Sequence, residues 1–404
     1  MNTLAEKHIL LGITGGIAAY KTAELVRRLR EQRAIVRVIM THAATQFITP
    51  LTLQTLSGLP VHTQLFDLQS EATIGHIELA RWADVILIAP ATANCLAKLA
   101  HGLADDLLTT VCLATTAPIK VAPAMNQQMW QAKVTQENCV TLQQRGIELW
   151  GPASGEQACG EIGAGRMLEP AELIELLQTC FTPQQLAAVK VIVTAGGTRE
   201  AIDPVRFIGN RSSGKMGYAV ARAAQQAGAE VTLISGMVSL PPPHGVKRVS
   251  VETAQQMFDA VQQHVPHCDI FISAAAVADY RPLHIADKKM KKQSDSLKIQ
   301  LERTPDILAH VAALPHPPFT VGFAAETDHL IEYAREKLQR KQLDMIAANQ
   351  VGQALGFEQE DNALTVLWAE GEQHLPRCHK IELAQQLISL IGQRYHLQRN
   401  GVLN

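Results

Sequence analysis

The sequence predicts an α/β protein built from two doubly wound parallel sheets. Two short apolar, β-branched runs, residues 8–13 and 191–194, each end in a glycine pair, Gly15-Gly16 and Gly196-Gly197, and then lead towards a helical pattern. A strand, a tight glycine turn and a helix start together form the entry of a nucleotide- or phosphate-binding α/β domain. Because the second entry lies near the middle of a 404-residue chain, we expect one complete domain before it and another after it.

Composition and charge narrow the class of protein. Charged residues make up 18% of the chain and hydrophobic ones 47%, which is ordinary for a soluble protein. The net charge of −2 gives no electrostatic argument for binding nucleic acid or an anionic membrane. We find no signal-peptide pattern and no apolar run of membrane-spanning length. The seven cysteines are scattered singly, which favours a reducing cytoplasm over a disulfide framework.

The first glycine turn favours a mononucleotide. A helix predicted over residues 17–31 and a strand over 34–40 complete a βαβ unit, but the dinucleotide fingerprint spacing is missing. The second strand ends in Thr41 and His42, not in an acidic residue that would grip a ribose diol. A hydroxyl there suits a phosphate, so we favour FMN over NAD. The turn by itself is equally consistent with a tight turn that binds nothing.

Two more strand ends and a glycine-rich segment extend this site. Apolar runs at 83–90 and 118–122 predict parallel strands, which deliver residues 90–95 and 123–130 to the edge where doubly wound sheets bind ligands. Residues 151–167 then hold five glycines around Cys159. Such a segment is too mobile for a core, and we interpret it as a flap over the site.

The second half repeats the pattern of alternating strands and helices. We predict strands at 230–234, 246–251, 269–273, 320–324, 344–348 and 362–367, the last two completing the sheet. We predict helices at 218–226, 253–264, 332–341 and 381–391, with a further helix starting in 304–308. The two halves join near residues 180–185, which gives domains at 1–181 and 189–404.

Two features of the second half have both a functional and an ordinary interpretation. Asp279 follows the strand at 269–273 and the small residues after it, so its carboxylate can meet a ribose hydroxyl or a metal, or simply cap a turn. The basic run 288–292 can bind a triphosphate, with each charge-assisted hydrogen bond contributing about 1.5–3 kcal/mol. Such a run is more often a solvated surface.

These motifs together carry a resemblance to known families. The first half resembles the flavin-dependent cysteine decarboxylases, and the second half resembles phosphopantothenate–cysteine ligase. The resemblance covers about residues 6 to 395 and is close to the bacterial bifunctional enzymes of coenzyme A biosynthesis. It implies two Rossmann-like domains, the N-terminal one of flavoprotein type and the C-terminal one of nucleotide-binding type. The motifs of the first half are Gly15-Gly16, His76 and residues 90–95, 123–129 and 158–167.

One departure from the family pattern lies in residues 90–95. The family usually has Ser and Thr where this chain has Thr92 and Cys95. Thr92 keeps a hydroxyl, whereas Cys95 is expected to weaken one hydrogen bond to flavin or substrate.

The resemblance implies an FMN-dependent decarboxylation of 4′-phosphopantothenoylcysteine. Oxidation of the CH2–SH group to a thioaldehyde creates a C=S electron sink beside the carboxylate, and the cofactor carries this step. The implied catalytic residues are His76 as a base or orienting group, Asn126 for the substrate carboxylate and Cys159 as the proton donor to the enethiolate. On the residues alone, each has an ordinary alternative: a structural histidine, a helix cap and an incidental cysteine. The implied contacts are Gly15, Gly16, Thr41, Thr92 and Asn94 with the cofactor, and Met125 with the substrate.

For the second half, the resemblance implies that CTP activates 4′-phosphopantothenate as an acyl-cytidylate, which L-cysteine then attacks. Lys289 matches the lysine tied to formation of this intermediate, and Asn210 matches the position that handles it. Mg²⁺ would bridge the phosphates with Asp279 as a ligand. The other implied substrate contacts are Gly196, Gly197, Ser212, Ser273, Ala274, Ala275, Pro305, Asp306, Ile307, Leu308, Phe323, Lys337 and Lys341.

Other functions stay open at this stage. A flavin-dependent prenyltransferase or a non-catalytic flavoprotein shares the glycines of the first half, but neither explains the Cys159 flap or a ligase half. A nicotinamide dehydrogenase would explain the glycine turns, but this chain lacks the acidic residue that such an enzyme has after the strand. We expect small-molecule substrates, neither nucleic acid nor membrane as a partner, and a cytoplasmic homo-oligomer. The resemblance implies a dodecamer built from decarboxylase trimers and ligase dimers.

Overall fold

The computed structural model describes residues 3–66, 75–158, 160–291, 297–326, 329–350 and 361–401. The chain divides into two compact units, residues 2–181 and 182–404. Each unit is organised around one mainly parallel sheet with helices on both of its faces. The predicted α/β class with two doubly wound sheets is therefore confirmed. No helix in the described part of the chain is long and apolar enough to cross a membrane.

The first unit contains a six-stranded parallel sheet in the order β3-β2-β1-β4-β5-β6. Its strands are β1 (His8–Ile13), β2 (Ile35–Met40), β3 (Val61–His62), β4 (Val85–Ala91), β5 (Ile119–Pro123) and β6 (Glu148–Leu149). A separate antiparallel hairpin consists of β7 (Ala153–Glu156) and β8 (Ile162–Arg166). The helices are α1 (Lys21–Glu31), α2 (Pro50–Ser57), α3 (Gly75–Trp82), α4 (Ala93–His101), α5 (Leu107–Ala114), α6 (Gln127–Gln131), α7 (Lys133–Gln144) and α8 (Pro170–Phe181).

Both faces of the first sheet are buried, as a parallel sheet requires. Ile9 and Leu11 of β1 pack on the side of α1, α2 and α8, whereas Leu10 packs on the side of α4, α5 and α7. The continuous apolar runs of β1 and β4 follow from this arrangement, because side chains pointing either way meet a helix layer.

One prediction for the first unit needs correction. The helix expected over residues 17–31 is divided, because residues 17–20 form a 3-10 turn and α1 begins only at Lys21. The segment 151–167, which we interpreted as a flap, contains the hairpin β7–β8, and its glycine content does not indicate these strands. Its glycines occupy positions with unusual backbone angles or close contacts, such as Gly165 with φ +145°.

The second unit contains an eight-stranded sheet in the order β13-β12-β9-β14-β17-β18-β19-β20. Its strands are β9 (Lys190–Ala195), β12 (Glu230–Ser235), β13 (Lys247–Ser250), β14 (Ile270–Ser273), β17 (Phe319–Glu326), β18 (Met345–Gln350), β19 (Asp361–Trp368) and β20 (Gly371–His379). Two small antiparallel arms pair β10 (Arg199–Ala201) with β11 (Phe207–Gly209), and β15 (Tyr280–Pro282) with β16 (Leu301–Arg303). The helices are α9 (Lys215–Gln226), α10 (Ala254–His264), α11 (Ile307–Ala312), α12 (Leu330–Arg340) and α13 (Lys380–Arg399).

Helices cover the second sheet on both faces. Helices α9 and α13 contribute Val220, Ala224, Leu387 and Ile391 to one core, while α10, α11 and α12 supply the other. The prediction that residues 344–348 and 362–367 complete the sheet is wrong, since β20 adds an antiparallel edge strand after β19. That strand buries a single residue, Leu375, and therefore has no alternation to detect.

Candidate functional site

The first site lies where the strand order of the first sheet reverses, at the carboxyl ends of β1 and β4. The Thr14 hydroxyl donates a hydrogen bond to the Pro90 carbonyl at 2.7 Å and accepts one from the Thr92 amide at 3.0 Å. These bonds hold the two strand ends together. Thr92 also caps α4, since its hydroxyl accepts from the Cys95 amide at 3.3 Å.

A cavity of about 650 Å³ opens at these strand ends. Five of the sequence-predicted residues line it: Gly15, Gly16, Thr92, Met125 and Asn126. The flap contributes Glu156, Gln157, Ala158, Gly165 and Arg166 to the same lining. Residues predicted from distant parts of the sequence to contact cofactor or substrate thus line one cavity.

Glycine is present at positions 15 and 16, after β1, for different physical reasons. A Cβ at Gly15 would lie 2.4 Å from Ala43 Cβ, so the packing of the protein itself excludes a side chain there. At Gly16 a Cβ would meet only Thr92 Cγ2, at 3.6 Å, among the described residues. Since its φ of −155° suits any residue, neither backbone strain nor a close described contact requires glycine at position 16, and its lack of a side chain leaves this part of the cavity wall open.

The flap rests on the end of β5 through specific hydrogen bonds. The Met125 amide donates to the Gly165 carbonyl at 3.0 Å, and the Gln127 amide donates to Gln157 Oε1 at 3.0 Å. Asn126 caps α6 with its Oδ1, which accepts from the Gln128 amide at 2.8 Å. Its Nδ2 donates to the Glu161 carboxylate at 2.6 Å. Asn126 therefore both caps a helix and presents an amide that already binds a carboxylate.

Some predicted residues of the first half lie elsewhere. His76 is half-buried in the first turn of α3, and Asn94 is exposed in the first turn of α4; neither lines this cavity. Thr41 accepts a hydrogen bond from the Ala44 amide at 3.3 Å and lines a separate cavity of about 310 Å³. Cys159 lies outside the described residues.

Cys95 corrects an expectation from the sequence. Its side chain is only 4% exposed and packs in the core on the α4 side of the sheet, so it does not line the cavity. Burial raises the pKa of the thiol to about 12. Cys95 is therefore a core residue and not the site of a lost hydrogen bond to a ligand.

Sequence reasoning did not single out two cations that line the cavity, Lys21 and Arg166. Lys21 Nζ lies 2.6 Å from the Glu169 carboxylate, and Arg166 Nη2 lies 3.3 Å from the same carboxylate. Lys21 starts α1 after the 3-10 turn that follows the glycine pair, and this position at a helix start was the available signal. The pair makes this wall of the cavity suitable for an anionic group.

The second site is a cavity of about 460 Å³ at the carboxyl ends of β14 and β17. Ten sequence-predicted residues line it: Ser273, Ala275, Asp279, Pro305, Asp306, Ile307, Leu308, Phe323, Lys337 and Lys341. The lining that sequence reasoning missed comprises Val277, Ala278, Tyr280, Arg303 and Thr304. Tyr280 and Arg303 are paired across the arm β15–β16.

Charged groups in this cavity are partly compensated within the protein. Lys341 Nζ lies 2.6 Å from the Asp306 carboxylate, and Lys337 Nζ donates to the Phe323 carbonyl at 2.8 Å. Burial opposes ionisation of Asp306, but Lys341 and the Ala309 amide outweigh it and hold the pKa of this carboxyl below its usual value. Asp306 also caps α11.

The glycine turn after β9 lies beside this cavity without lining it. The Ala276 amide donates to the Gly196 carbonyl at 2.8 Å, and Gly197 forms a bridge with Ala276. A Cβ at Gly236 would lie 2.3 Å from the Gly197 carbonyl oxygen, so three strand ends pack closely here. The remaining predicted contacts, Ala274 and Ser212, are also outside the lining.

The two predicted catalytic residues of the second half are both exposed. Asn210 Nδ2 donates to the carbonyl of Val277, a lining residue, at 3.0 Å. Lys289 lies in the basic run, whose last member, Lys292, is outside the described residues. Asp279 is exposed at the cavity, and the described residues contain no group of three potential metal ligands of the His, Cys, Asp and Glu type.

Comparisons with known proteins match both halves of the chain. Residues 1–182 match the family "Flavoprotein", and residues 186–395 match "DNA/pantothenate metabolism flavoprotein C-terminal domain". The coenzyme A biosynthesis bifunctional protein CoaBC of Vibrio vulnificus (strain CMCP6) is 56% identical over 395 residues, covering 97% of this chain and 98% of that protein. The protein of the same name from Escherichia coli (strain K12) is 54% identical over 399 residues, covering 97% and 98%. A crystal structure of the C-terminal domain of such a protein is 42% identical, with a TM-score of 0.46, covering 52% of this chain and 97% of its own.

Proposed function

This chain belongs to the family of bifunctional coenzyme A biosynthesis proteins, and we propose how its two units divide that work. It is an enzyme with two activities, phosphopantothenoylcysteine decarboxylase and phosphopantothenate–cysteine ligase. The observation that carries this conclusion is 56% identity, over 97% of this chain, to a relative named as a bifunctional protein of coenzyme A biosynthesis. The ligase forms the substrate of the decarboxylase, so the two reactions are consecutive.

In our proposal, residues 1–181 carry the decarboxylase and residues 189–404 carry the ligase. Two features support this division. The compact units meet at residues 181 and 182, and each unit has its own cavity at the carboxyl ends of its strands. A flavoprotein domain matches the first unit and a pantothenate metabolism domain matches the second.

For the first unit, a flavoprotein domain, we propose FMN as the cofactor. Gly15, Gly16 and Thr92 would hold it at the open strand ends, where Gly16 leaves space that a side chain would fill. The hydroxyl of Thr41 and the side chain of Asn94 are further proposed contacts. When bound, FMN would accept a hydride from the substrate carbon that bears the thiol and later return it.

Asn126 is the proposed partner of the substrate carboxylate. Its amide donates to Glu161 at 2.6 Å, so it is oriented towards a carboxylate before substrate arrives. The substrate would have to displace Glu161, which couples binding to a shift of the flap. Met125, on the same strand end, would contact the pantothenoyl chain.

His76 and Cys159 complete the proposed catalytic set, His76 as a base or orienting group and Cys159 as a proton donor. His76 does not line the cavity of the single chain. A trimer in which a neighbouring subunit completes the site would account for this, and also for Thr41 in a separate cavity. Such trimers, combined with dimers of the ligase unit, would give the dodecamer that we propose.

Cys159→Ser tests the late proton transfer. If the thiol only donates this proton, oxidation and loss of carbon dioxide should still occur, but the saturated product should disappear. The aminoenethiol should accumulate to about one equivalent per flavin, which should remain reduced because its hydride is not returned. Mass spectrometry of reactions supplied with 4′-phosphopantothenoylcysteine measures both species. A normal yield of 4′-phosphopantetheine from this variant would eliminate the role.

For the ligase unit, we propose that CTP activates 4′-phosphopantothenate as an acyl-cytidylate before cysteine attacks. The cations Arg303, Lys337 and Lys341 around the cavity support a polyanionic ligand. Ser273, Ala274, Ala275, Phe323 and residues 305–308 would surround the nucleoside and the phosphates, with Gly196, Gly197 and Ser212 beside them. The preference for cytosine rests on the resemblance alone.

Mg²⁺ is the proposed metal ion of this unit. Asp279 is exposed at the cavity and offers a hard oxygen ligand of the kind that Mg²⁺ prefers. Because the described residues supply no cluster of three acidic, His or Cys side chains, phosphate oxygens and water would provide most of the coordination. The ion would therefore bind together with the nucleotide.

Comparison of Lys289→Gln with Asn210→Asp tests the proposed order of events. Lys289 would offset negative charge as the carboxylate meets the triphosphate, so its loss should abolish pyrophosphate release and everything downstream. Asn210 would orient the acyl group, so Asn210→Asp should still release pyrophosphate and retain the acyl-cytidylate as a detectable mass. Equal loss of pyrophosphate release in both variants would refute this division of roles.

We also propose that the enzyme works in the cytoplasm. The cysteines that the structure describes are all free, which fits a reducing compartment. The reactants, 4′-phosphopantothenate, L-cysteine and CTP, are small molecules.

A further inference from the structure

A buried carboxylate lies outside both cavities, in the turn between β10 and β11. Asp203 is only 2% exposed, although it belongs to a surface arm. Its two oxygens accept hydrogen bonds from the amides of Val205 and Arg206, each at 2.9 Å, and from Arg206 Nε at 2.9 Å. These bonds are local and hold the turn. They also hold the pKa of Asp203 well below its usual range, with the Arg206 guanidinium as the main cause.

The same carboxylate reaches across 87 residues of chain to Met290. The Met290 amide donates to Asp203 Oδ2 at 3.2 Å, while Arg206 Nη2 donates to the Met290 carbonyl at 2.9 Å. The ion pair thus binds both backbone polar groups of one residue. A further bond, from the Ala286 amide to the Ile202 carbonyl at 3.0 Å, fixes the segment four residues earlier.

Met290 directly follows Lys289, the residue that we propose for formation of the acyl-cytidylate. The lysine side chain is exposed and has a long flexible stem, so its own packing cannot fix its position. What is fixed is the backbone on its C-terminal side. A misplacement of about 1 Å at a catalytic group can cost about 100-fold in rate, so anchoring the backbone matters for catalysis.

We infer that Asp203, together with Arg206, is a positioning residue that holds the backbone beside Lys289 for the activation step. The inference rests on the proposed function of Lys289. Asp203 does not line the nucleotide cavity, so it would act only through the residue it anchors. The charge of Arg206 is already neutralised by Asp203, so Arg206 serves here to hold the Met290 backbone.

The test uses the full-length enzyme and measures pyrophosphate release from CTP and 4′-phosphopantothenate. Asp203→Asn should lower kcat of this step about 10- to 100-fold, with the KM for CTP changed by less than about threefold. Reaction of supplied acyl-cytidylate with cysteine should be unaffected. Because the cysteine step takes place in the same unit as Asp203, its rate also measures how much of the second unit is folded.

Asp344→Asn is the matched control, because Asp344 also holds backbone with its carboxylate but at the opposite end of the sheet. It accepts from the Thr320 amide at 2.7 Å and from the Thr320 hydroxyl at 3.0 Å. This variant should lose thermal stability without a selective loss of pyrophosphate release. If Asp203→Asn instead behaves like Asp344→Asn, the inference is wrong.

A variant of Met290 separates positioning from a general structural role of Asp203. Met290→Pro provides a second approach if Asp203→Asn does not fold, since it removes the amide that donates to Asp203 and also restricts the backbone of residues 289 and 290. It should reproduce the selective loss of activation, and normal activation in this variant would contradict the inference.

The wild-type reaction distinguishes the two levels of proposal. If wild-type enzyme releases no pyrophosphate from CTP and 4′-phosphopantothenate, the proposed function is wrong, and the inference is wrong as well because it rests on that function. If the wild type reacts and Asp203→Asn reacts equally fast, only the inference fails.

Discussion

At the scale of single residues, burial decides what a polar group in the first unit can do. Cys95 and Asn126 follow neighbouring strands and both lie within motifs of the family, yet their surroundings are opposite. Cys95 is 4% exposed among apolar side chains, whereas Asn126 lines the cavity and binds a carboxylate at 2.6 Å. Both residues come after the end of a strand and at the start of a helix. They differ because the Cys95 side chain points into the core, whereas the Asn126 side chain lines the cavity.

The raised pKa of Cys95 predicts a loss of stability in alkali. The thiol ionises near pH 8.5–9 in the unfolded chain but only near pH 12 when folded, since burial disfavours the thiolate. The contribution of the buried neutral thiol to the free energy of unfolding is therefore fully present below about pH 9. It is lost as pH rises towards 12, with roughly 4 kcal/mol as an upper bound. Denaturant unfolding of wild type and Cys95→Ala at pH 8.5, 9.5 and 10.5 measures it. The wild-type free energy of unfolding should fall more steeply with pH, and equal slopes would contradict the prediction.

Residue identity predicted much of the second cavity but missed its outer wall. Ser273 and Ala275 follow the pattern of a strand end, and Asp306 follows that of a helix start. The resemblance implied that all three contact the substrate, and all three line the cavity. Tyr280 and Arg303 have no such pattern. They meet because β15 and β16 pair across about 20 residues, part of which lies outside the described chain. No local periodicity in the sequence predicts that pairing.

At the scale of elements, the hairpin β7–β8 depends on close backbone contact with the end of β5. A Cβ at Gly165 would lie 2.2 Å from the Met125 carbonyl oxygen, and its φ of +145° is one that other residues rarely adopt. Backbone strain of this kind costs about 1–3 kcal/mol at one residue. Glycine is required here by the seating of the hairpin on the strand.

Gly165→Ala should therefore displace the hairpin and lower the decarboxylase rate at least about tenfold, since the flap completes the cavity. The ligase reaction of the same chain should be unchanged. Gly146→Ala is the matched control, because Gly146 also has a positive φ, +81°, but a Cβ there meets no described atom within 4 Å and the residue lies outside the hairpin. Product assays of both activities in the two variants decide the matter. Normal decarboxylation by Gly165→Ala would show that the hairpin can seat without this contact.

Elements with strong periodicity were predictable, and edge elements were not. β1 was predicted over residues 8–13 and has those bounds, because both faces of a central parallel strand are apolar. β3 has two residues and β20 buries only Leu375, so neither leaves a readable hydrophobic pattern. Helix α13 was predicted over 381–391 but continues to Arg399, where the apolar spacing of the sequence thins out.

At the scale of the whole molecule, the two units have separate cores. The core residues of the first unit end at Leu177, and those of the second begin at Leu186. Each unit can therefore bury its apolar surface from its own sequence, as an independent domain does.

A fragment of residues 1–181 should accordingly bind flavin and decarboxylate supplied 4′-phosphopantothenoylcysteine without CTP. Absorbance of the purified fragment and mass spectrometry of its product provide the measurement. A fragment of residues 182–404 should show the complementary ligase activity and no flavin absorbance. If fragments ending at several positions near 181 are all insoluble or colourless, the proposed domain division is wrong.

The position of α13 has a consequence for how the protein is synthesised. Leu387 and Ile391 of this helix pack into the same core as Val220 and Ala224 of α9, so this core stays incomplete until α13 has left the ribosome. The first unit has all of its core before any of the second unit is translated. Domains generally fold in the order of synthesis, so a nascent chain would present a folded first unit before the second unit can fold. Translation that stops between residue 181 and α13 would yield the first unit without a complete second unit.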